Sequence, residues 1–131
     1  MSGEMDLAVL LRSMEPVLDA VPYGYGVVAV GDTVPSGAFA VIAEVEGVTV
    51  VAEVSVLAAA GIAFDEHWAR ISLTVHSDLA AVGLTAAIAK ALAVQGISAN
   101  VVAGFYHDHV FVQWARRDNA LEALRALAVA S

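Results

Sequence analysis

The chain has 131 residues, 60% of them hydrophobic, with a mean hydropathy of +0.76, which suits one domain or two very small subdomains sharing a core. Fourteen acidic against six basic residues give a formal charge of −8, so a phosphate backbone would be repelled and nucleic acid is excluded as a partner. The absence of cysteine removes disulfide frameworks, thiolate metal sites and thiol nucleophiles in one step.

From the N-terminus, acid comes early and no basic leader precedes the short apolar run, so a secretory signal is not expected. Ala91 to Tyr106 is uncharged but broken by Gln95, Gly96, Ser98, Asn100 and Gly104, unlike a membrane span of about 20 apolar residues. A soluble, cytoplasmic protein without a membrane partner is expected. So much apolar surface on so small a chain predicts a homodimer or larger homo-oligomer.

Asp6 is placed to cap a short helix whose Leu7, Leu10, Leu11 and Met14 share a face, ended by Pro16. After Pro22, YGYGVVAV suits a strand from Tyr23 to Val30, then a loop through Gly31, Asp32, Pro35 and Gly37. Its glycines are not a nucleotide loop, because no helical pattern follows and the third glycine is missing. Alternation over Phe39 to Val45 and again over Val48 to Glu53, with Glu46-Gly47 between, predicts a hairpin. One or two helical turns from Ser55 to Ala60 end at Gly61, and the seam between halves falls near 63–66.

In the second half Ile71, Leu73 and Val75 alternate with Arg70, Ser72 and Thr74 as a strand with one buried face. Asp78 or Ser77 is expected to cap the next helix, with Leu84, Ile88 and Leu92 as its large apolar stripe. Its other side carries Ala86, Ala89 and Ala93, which suits close packing on a second helix. Gly96 ends it, Ser98 to Gly104 forms a strand, Tyr106 to Asp108 turns, and His109 to Trp114 returns antiparallel. Asp118 is expected to cap a last helix with Leu121, Leu124 and Leu127 on one side.

This order is the ferredoxin-like βαββαβ pattern lacking its final strand, which a neighbouring half must supply or leave vacant. HSDLAAVGLTAAIAKAL followed by GISANVVAGFYHDHVFV resembles the second half of a bacterial family of small tandem ACT proteins, with AEVEGVTVV a weaker echo in the first half. The resemblance implies an α+β fold of two ferredoxin-like subdomains in tandem, 1–65 (reduced, its first helix replaced by the 31–37 loop) and 66–131. It also implies a regulatory module without cofactor, binding an amino acid or similar small zwitterion at an interface between two ACT units. Carried over by position, the ligand contacts are Ser77, Asp78, Leu79, Val82, Gly83, Leu84 and Thr85, with Asn100 facing them from the next strand.

A helix start supports such a site physically, because its free N–H groups and positive dipole end hold a carboxylate. An Asp78 that spends its oxygens capping the helix would, however, repel that carboxylate. The same residues are also read as caps and packing positions. Tyr106-His107-Asp108-His109 is a second polar knot that, with His76, could ligate zinc or nickel, though such residues also form ordinary turns. For catalysis, Ser77 beside His76 is the only adjacent nucleophile and base, and neighbours in a strand point to opposite faces. No enzyme is therefore expected; the alternatives to a sensor are an interaction subunit without ligand and a histidine-dependent metal enzyme.

Overall fold

The computed structural model describes residue 3, residues 5–75, residue 78 and residues 81–131. Contacts divide the chain into two compact units, Met1–Asp19 with Ala69–Ser131, and Ala20–Trp68. These units do not follow a single cut near residue 65, because the first nineteen residues pack with the second half.

In the first of these units, α1 (Leu7–Ser13) starts where Asp6 Oδ1 accepts from the Val9 amide at 3.1 Å, and it buries Leu10 and Leu11. Pro16 opens β1 (Pro16–Leu18), a strand that the sequence reading does not include. It pairs antiparallel with β5 (Trp68–Leu73), Pro16 opposite Leu73 and Leu18 opposite Ile71. Proline fits there because the first residue of an edge strand need not donate to the ladder. The missing last strand of the βαββαβ pattern is thus supplied from ahead of the first strand.

Within this unit the strand order is β6 (Asn100–Ala103), β7 (Asp108–Gln113), β5, β1, the ferredoxin-like arrangement. Helices α3 (Leu84–Val94) and α4 (Arg117–Ala130) pack against one another. Ala69, Ile71, Leu73, Val110 and Val112 turn inward to meet Leu84, Ile88, Leu92, Ala120, Leu124 and the α1 residues Leu10 and Leu11. Gly96, at φ +71, ends α3, and the Ile97 amide reaches back to the Leu92 carbonyl at 3.0 Å. Ala86 and Ala93 of the alanine side remain exposed, while Ala87 joins the core. Asp118 lies inside the first turn of α4 and is not its cap, since a 3₁₀ turn over Trp114–Arg116 leads directly into Arg117. Arg117 holds that corner, its guanidinium 4.0 Å from the Trp114 ring centre and bonded to the Trp114 carbonyl at 2.7 Å.

The second unit contains β2 (Tyr23–Val28), β3 (Ala40–Ala43), β4 (Val48–Glu53) and α2 (Val54–Ala59), with the antiparallel order β3, β4, β2 and Tyr23 opposite Trp68. Residues 29–39 run as turns where a ferredoxin-like unit carries its first helix, as the proline and glycine spacing leads one to expect. Gly24 serves packing: a Cβ there would lie 2.9 Å from Leu57 Cδ1 and 3.2 Å from Phe64, so its absence lets α2 and Phe64 close on the sheet. Val50, Ala52 and Leu57 form the buried centre, flanked by Val28, Val34, Ile62 and Phe64.

Because Leu10 is fully buried among residues from α3, β5 and α4, Leu10→Ala is expected to cost about 2–5 kcal/mol, as for any core leucine. Urea unfolding checks this; a loss under about 0.5 kcal/mol, the range of ordinary surface changes, would show that the N-terminal segment is not integral to the unit.

Candidate ligand-binding site

Of the expected site residues, Ser77 and Leu79, like His76, lie outside the described residues. Beyond β5, Thr74 is fixed by its amide and Oγ1, which donate to the Glu15 carbonyl at 3.3 and 3.0 Å. Half-buried Asp78 has its carbonyl engaged by the Ala81 amide at 2.9 Å. The helix α3 begins six residues later than its proposed cap. Gly83 occupies the capping position at φ +98, a left-handed conformation that cannot extend the helix upstream, and as a glycine it has no side chain to cap the first-turn amides. The capping residue of α3 is therefore Gly83 and not Asp78.

Around this helix start the expected residues have different roles. Leu84 is buried in the core and acts as an anchor, whereas Val82 and Thr85 are exposed beside the helix start. Leu7 packs over Gly83, where a Cβ would come 3.0 Å from Leu7 Cδ2. Asn100 is not brought to this place. It pairs with Phe111 after the turn that closes the opposite end of α3, and its neighbours Ala99 and Val101 pack toward the helices. Alternation therefore sends Asn100 to the face turned away from them.

Of the HDH segment only His107 lies in the β6–β7 turn, which the Gly104 amide closes by donating to the His107 carbonyl at 2.9 Å, while Asp108 and His109 open β7 opposite Ala103 and Val102. Phe105 and Tyr106 stand exposed at its tip with ring centres 5.1 Å apart, edge to face, and Asp108 is buried. His109 Nδ1 lies 2.8 Å from Ser72 Oγ, a cross-strand pair that sequence adjacency does not reveal. The signal was parity: Ser72 opposes inward Ile71 and Leu73, and His109 opposes inward Val110, so both occupy the outer face once β5 and β7 are neighbours. Burial pushes the His109 pKa below its ordinary 6.5, with the charges of Arg70 and His107 acting the same way and Asp108 opposing. Among the described residues no group of three histidine, cysteine, aspartate or glutamate side chains is arranged to hold a metal ion.

The ACT domain pattern matches residues 63–126, and a second form of it matches residues 2–69. A crystal structure of a protein of unknown function from Vibrio cholerae, described as a possible transport protein, is 44% identical. That match covers 93% of this chain and 95% of the other, with a TM-score of 0.81. The chain is a tandem ACT-domain protein. It thereby belongs to a family of regulatory, small-molecule-binding modules. Two more distant structures share the fold. A protein from Agobacterium tumefaciens is 15% identical, with 88% of this chain and 89% of that one covered and a TM-score of 0.73. The ligand-free regulatory subunit of aspartate kinase from Thermus thermophilus is 13% identical, with 88% and 98% covered and a TM-score of 0.58. No curated protein matches the chain. No helix among the described residues of this tandem ACT protein is long and apolar enough to cross a membrane.

Two measurements probe this geometry. Gly83→Ala is expected to destabilise by about 1–2 kcal/mol in urea, the cost of a left-handed residue with a Cβ, with contact against Leu7 adding to it. For His109, whose folded pKa lies below 6.5, the unfolded chain takes up a proton that the folded chain refuses as pH falls through 6.5. Stability from this group is thus present above about pH 6.5 and lost as pH falls through the folded value. Melting temperature should decline between pH 7.5 and 5.5, and His109→Gln should flatten that decline; an unchanged profile refutes the assignment.

Proposed function

We propose that this tandem ACT protein is a non-enzymatic sensor that binds an amino acid or similar small zwitterion at the start of α3. The observation that carries the reading is a helix beginning at left-handed Gly83, a capping residue with no side chain of its own to bond the first-turn amides. Those amides and the dipole end suit a carboxylate, and the reading gives Asp78, ahead of the helix start, the part of acceptor for an ammonium group. Val82 and Thr85 border the ligand, and Leu84 fixes the backbone from below. Ser77 and Leu79 belong to the same proposed segment. The site lies at an interface between ACT modules, closed by a second copy in a homodimer or larger assembly, so that occupancy favours the assembled state and is transmitted by helix packing. The regulatory subunit of aspartate kinase that shares the fold supports this class of role.

Thermal shift against the twenty amino acids tests it, because a ligand that binds only the folded chain raises the melting temperature. Exposed Thr85 supplies the control. Thr85→Glu should leave stability unchanged or raise it by about 0.3–1 kcal/mol through the helix dipole, while abolishing the response by repelling the carboxylate. An equal response in Thr85→Glu rejects this location, and silence of the natural chain across the panel rejects the sensor in favour of an interaction subunit.

A further inference from the structure

A groove of about 690 Å³ lies between β1 and α4, a volume within the roughly 300–1,000 Å³ of small-molecule sites. Consecutive strand residues point to opposite faces, so a groove lined by Pro16, Val17 and Leu18 alike runs along the edge of β1, where the backbone is presented. Hydrogen bonds fix which groups that edge offers. The Thr74 amide donates to the Glu15 carbonyl at 3.3 Å and the Asp19 amide to the Arg70 carbonyl at 2.9 Å, with Val17 opposite Ser72 midway between them. Antiparallel alternation therefore points the Glu15, Val17 and Asp19 backbone at β5, and turns the Pro16 carbonyl and the Leu18 amide and carbonyl outward. The other wall is a stripe of α4 at helical spacing, Leu121, Arg125, Ala128 and Val129, in which the small Ala128 leaves depth. Glu15 and Arg125 are exposed at the groove, and neither side chain is hydrogen-bonded or ion-paired among the described residues.

We propose that this groove binds an aliphatic tripeptide in extended form, laid parallel to β1. The N–H of the middle peptide residue donates to the Pro16 carbonyl and its C=O accepts from the Leu18 amide, the parallel bridge that flanks Val17. The first and third peptide side chains then fall on the helix side with Pro16 and Leu18, against Leu121 and Ala128. Glu15 precedes β1, so it stands at the amino end of a parallel ligand and takes the ammonium group. Arg125, the one cation among the described residues that line the groove, takes the carboxylate. Because Pro16 supplies no amide, the edge accepts a single bridge and not a running strand, which selects a short peptide over the edge of another sheet. None of the residues assigned to the amino acid site at α3 lines this groove.

The test is a titration of the full chain with the tripeptide Leu-Ala-Leu, following backbone amides by NMR. The expected result is a saturable shift centred on Leu18, with that amide shielded from solvent exchange. The same peptide N-methylated at its central residue should bind roughly tenfold more weakly, the scale of one lost hydrogen bond. Acetylating the amino end and amidating the carboxyl end should each weaken binding severalfold, the first no longer in Glu15→Gln and the second no longer in Arg125→Gln. Ala128→Phe fills the groove and should abolish binding, while Thr85→Glu should leave it unchanged, which separates this site from the one at α3. A silent Leu18 amide, an equal response to the N-methylated peptide or to free leucine, or the same shift on raising the protein concentration without peptide, which would mean a second copy in the groove, overturns the proposal.

Discussion

The strict two-residue alternation of β5 and its partner β7 is the constraint on which the larger unit depends. Ala69, Ile71 and Leu73 on one strand and Val110 and Val112 on the other commit one face to the helices. Once that face is fixed, Arg70, Ser72 and His109 have nowhere to go but the other side, because a slip of one residue would bury a guanidinium and an imidazole in an aliphatic core. Apolar burial on one face thus positions the polar chemistry on the other.

The N-terminal segment answers a size problem. Units of this length sit near the lower limit at which a hydrophobic core sustains itself, and α1 and β1 bring Leu10, Leu11 and Met14 to the core while covering an edge of β5. The unit is therefore assembled from both ends of the chain. In Ala20–Trp68 the economy is different: Gly24 lets α2 and Phe64 sit close on the sheet, and a loop takes the place of a helix.

How much of this was legible in the sequence differs by element. The α1 cap, the β3–β4 hairpin and the α3 stripe announce themselves through local spacing, and the structure places each close to where that spacing puts it. Strand β1 was silent, since three residues beginning with proline show no period and its pairing partner lies more than fifty positions away. The start of α3 is hard to place from residue types because Ser and Asp are strong capping residues, so Ser77-Asp78 outweighs Gly83, whose left-handed backbone no residue pattern announces. For Asn100 the neighbours carry the signal: Ala99 and Val101 are apolar and inward, so the residue between them faces outward, away from the helix start.

The proposed amino acid site is hard to read from residue types for a reason that lies in its chemistry. A carboxylate held at a helix start is recognised by backbone amides, which every residue except proline supplies, so no side-chain signature marks the place. What the sequence contributes there is permissive: a glycine that accepts φ +98, and a leucine that holds the first turn down. The Ser72–His109–Arg70 cluster is the converse case, composed of distinctive side chains whose meaning depends on strand neighbours that no local pattern reveals. Membership in the ACT family follows from features distributed along the whole chain, whereas the proposed ligand site depends on the local backbone at one helix start. A fold can therefore be recognised long before the molecule it serves.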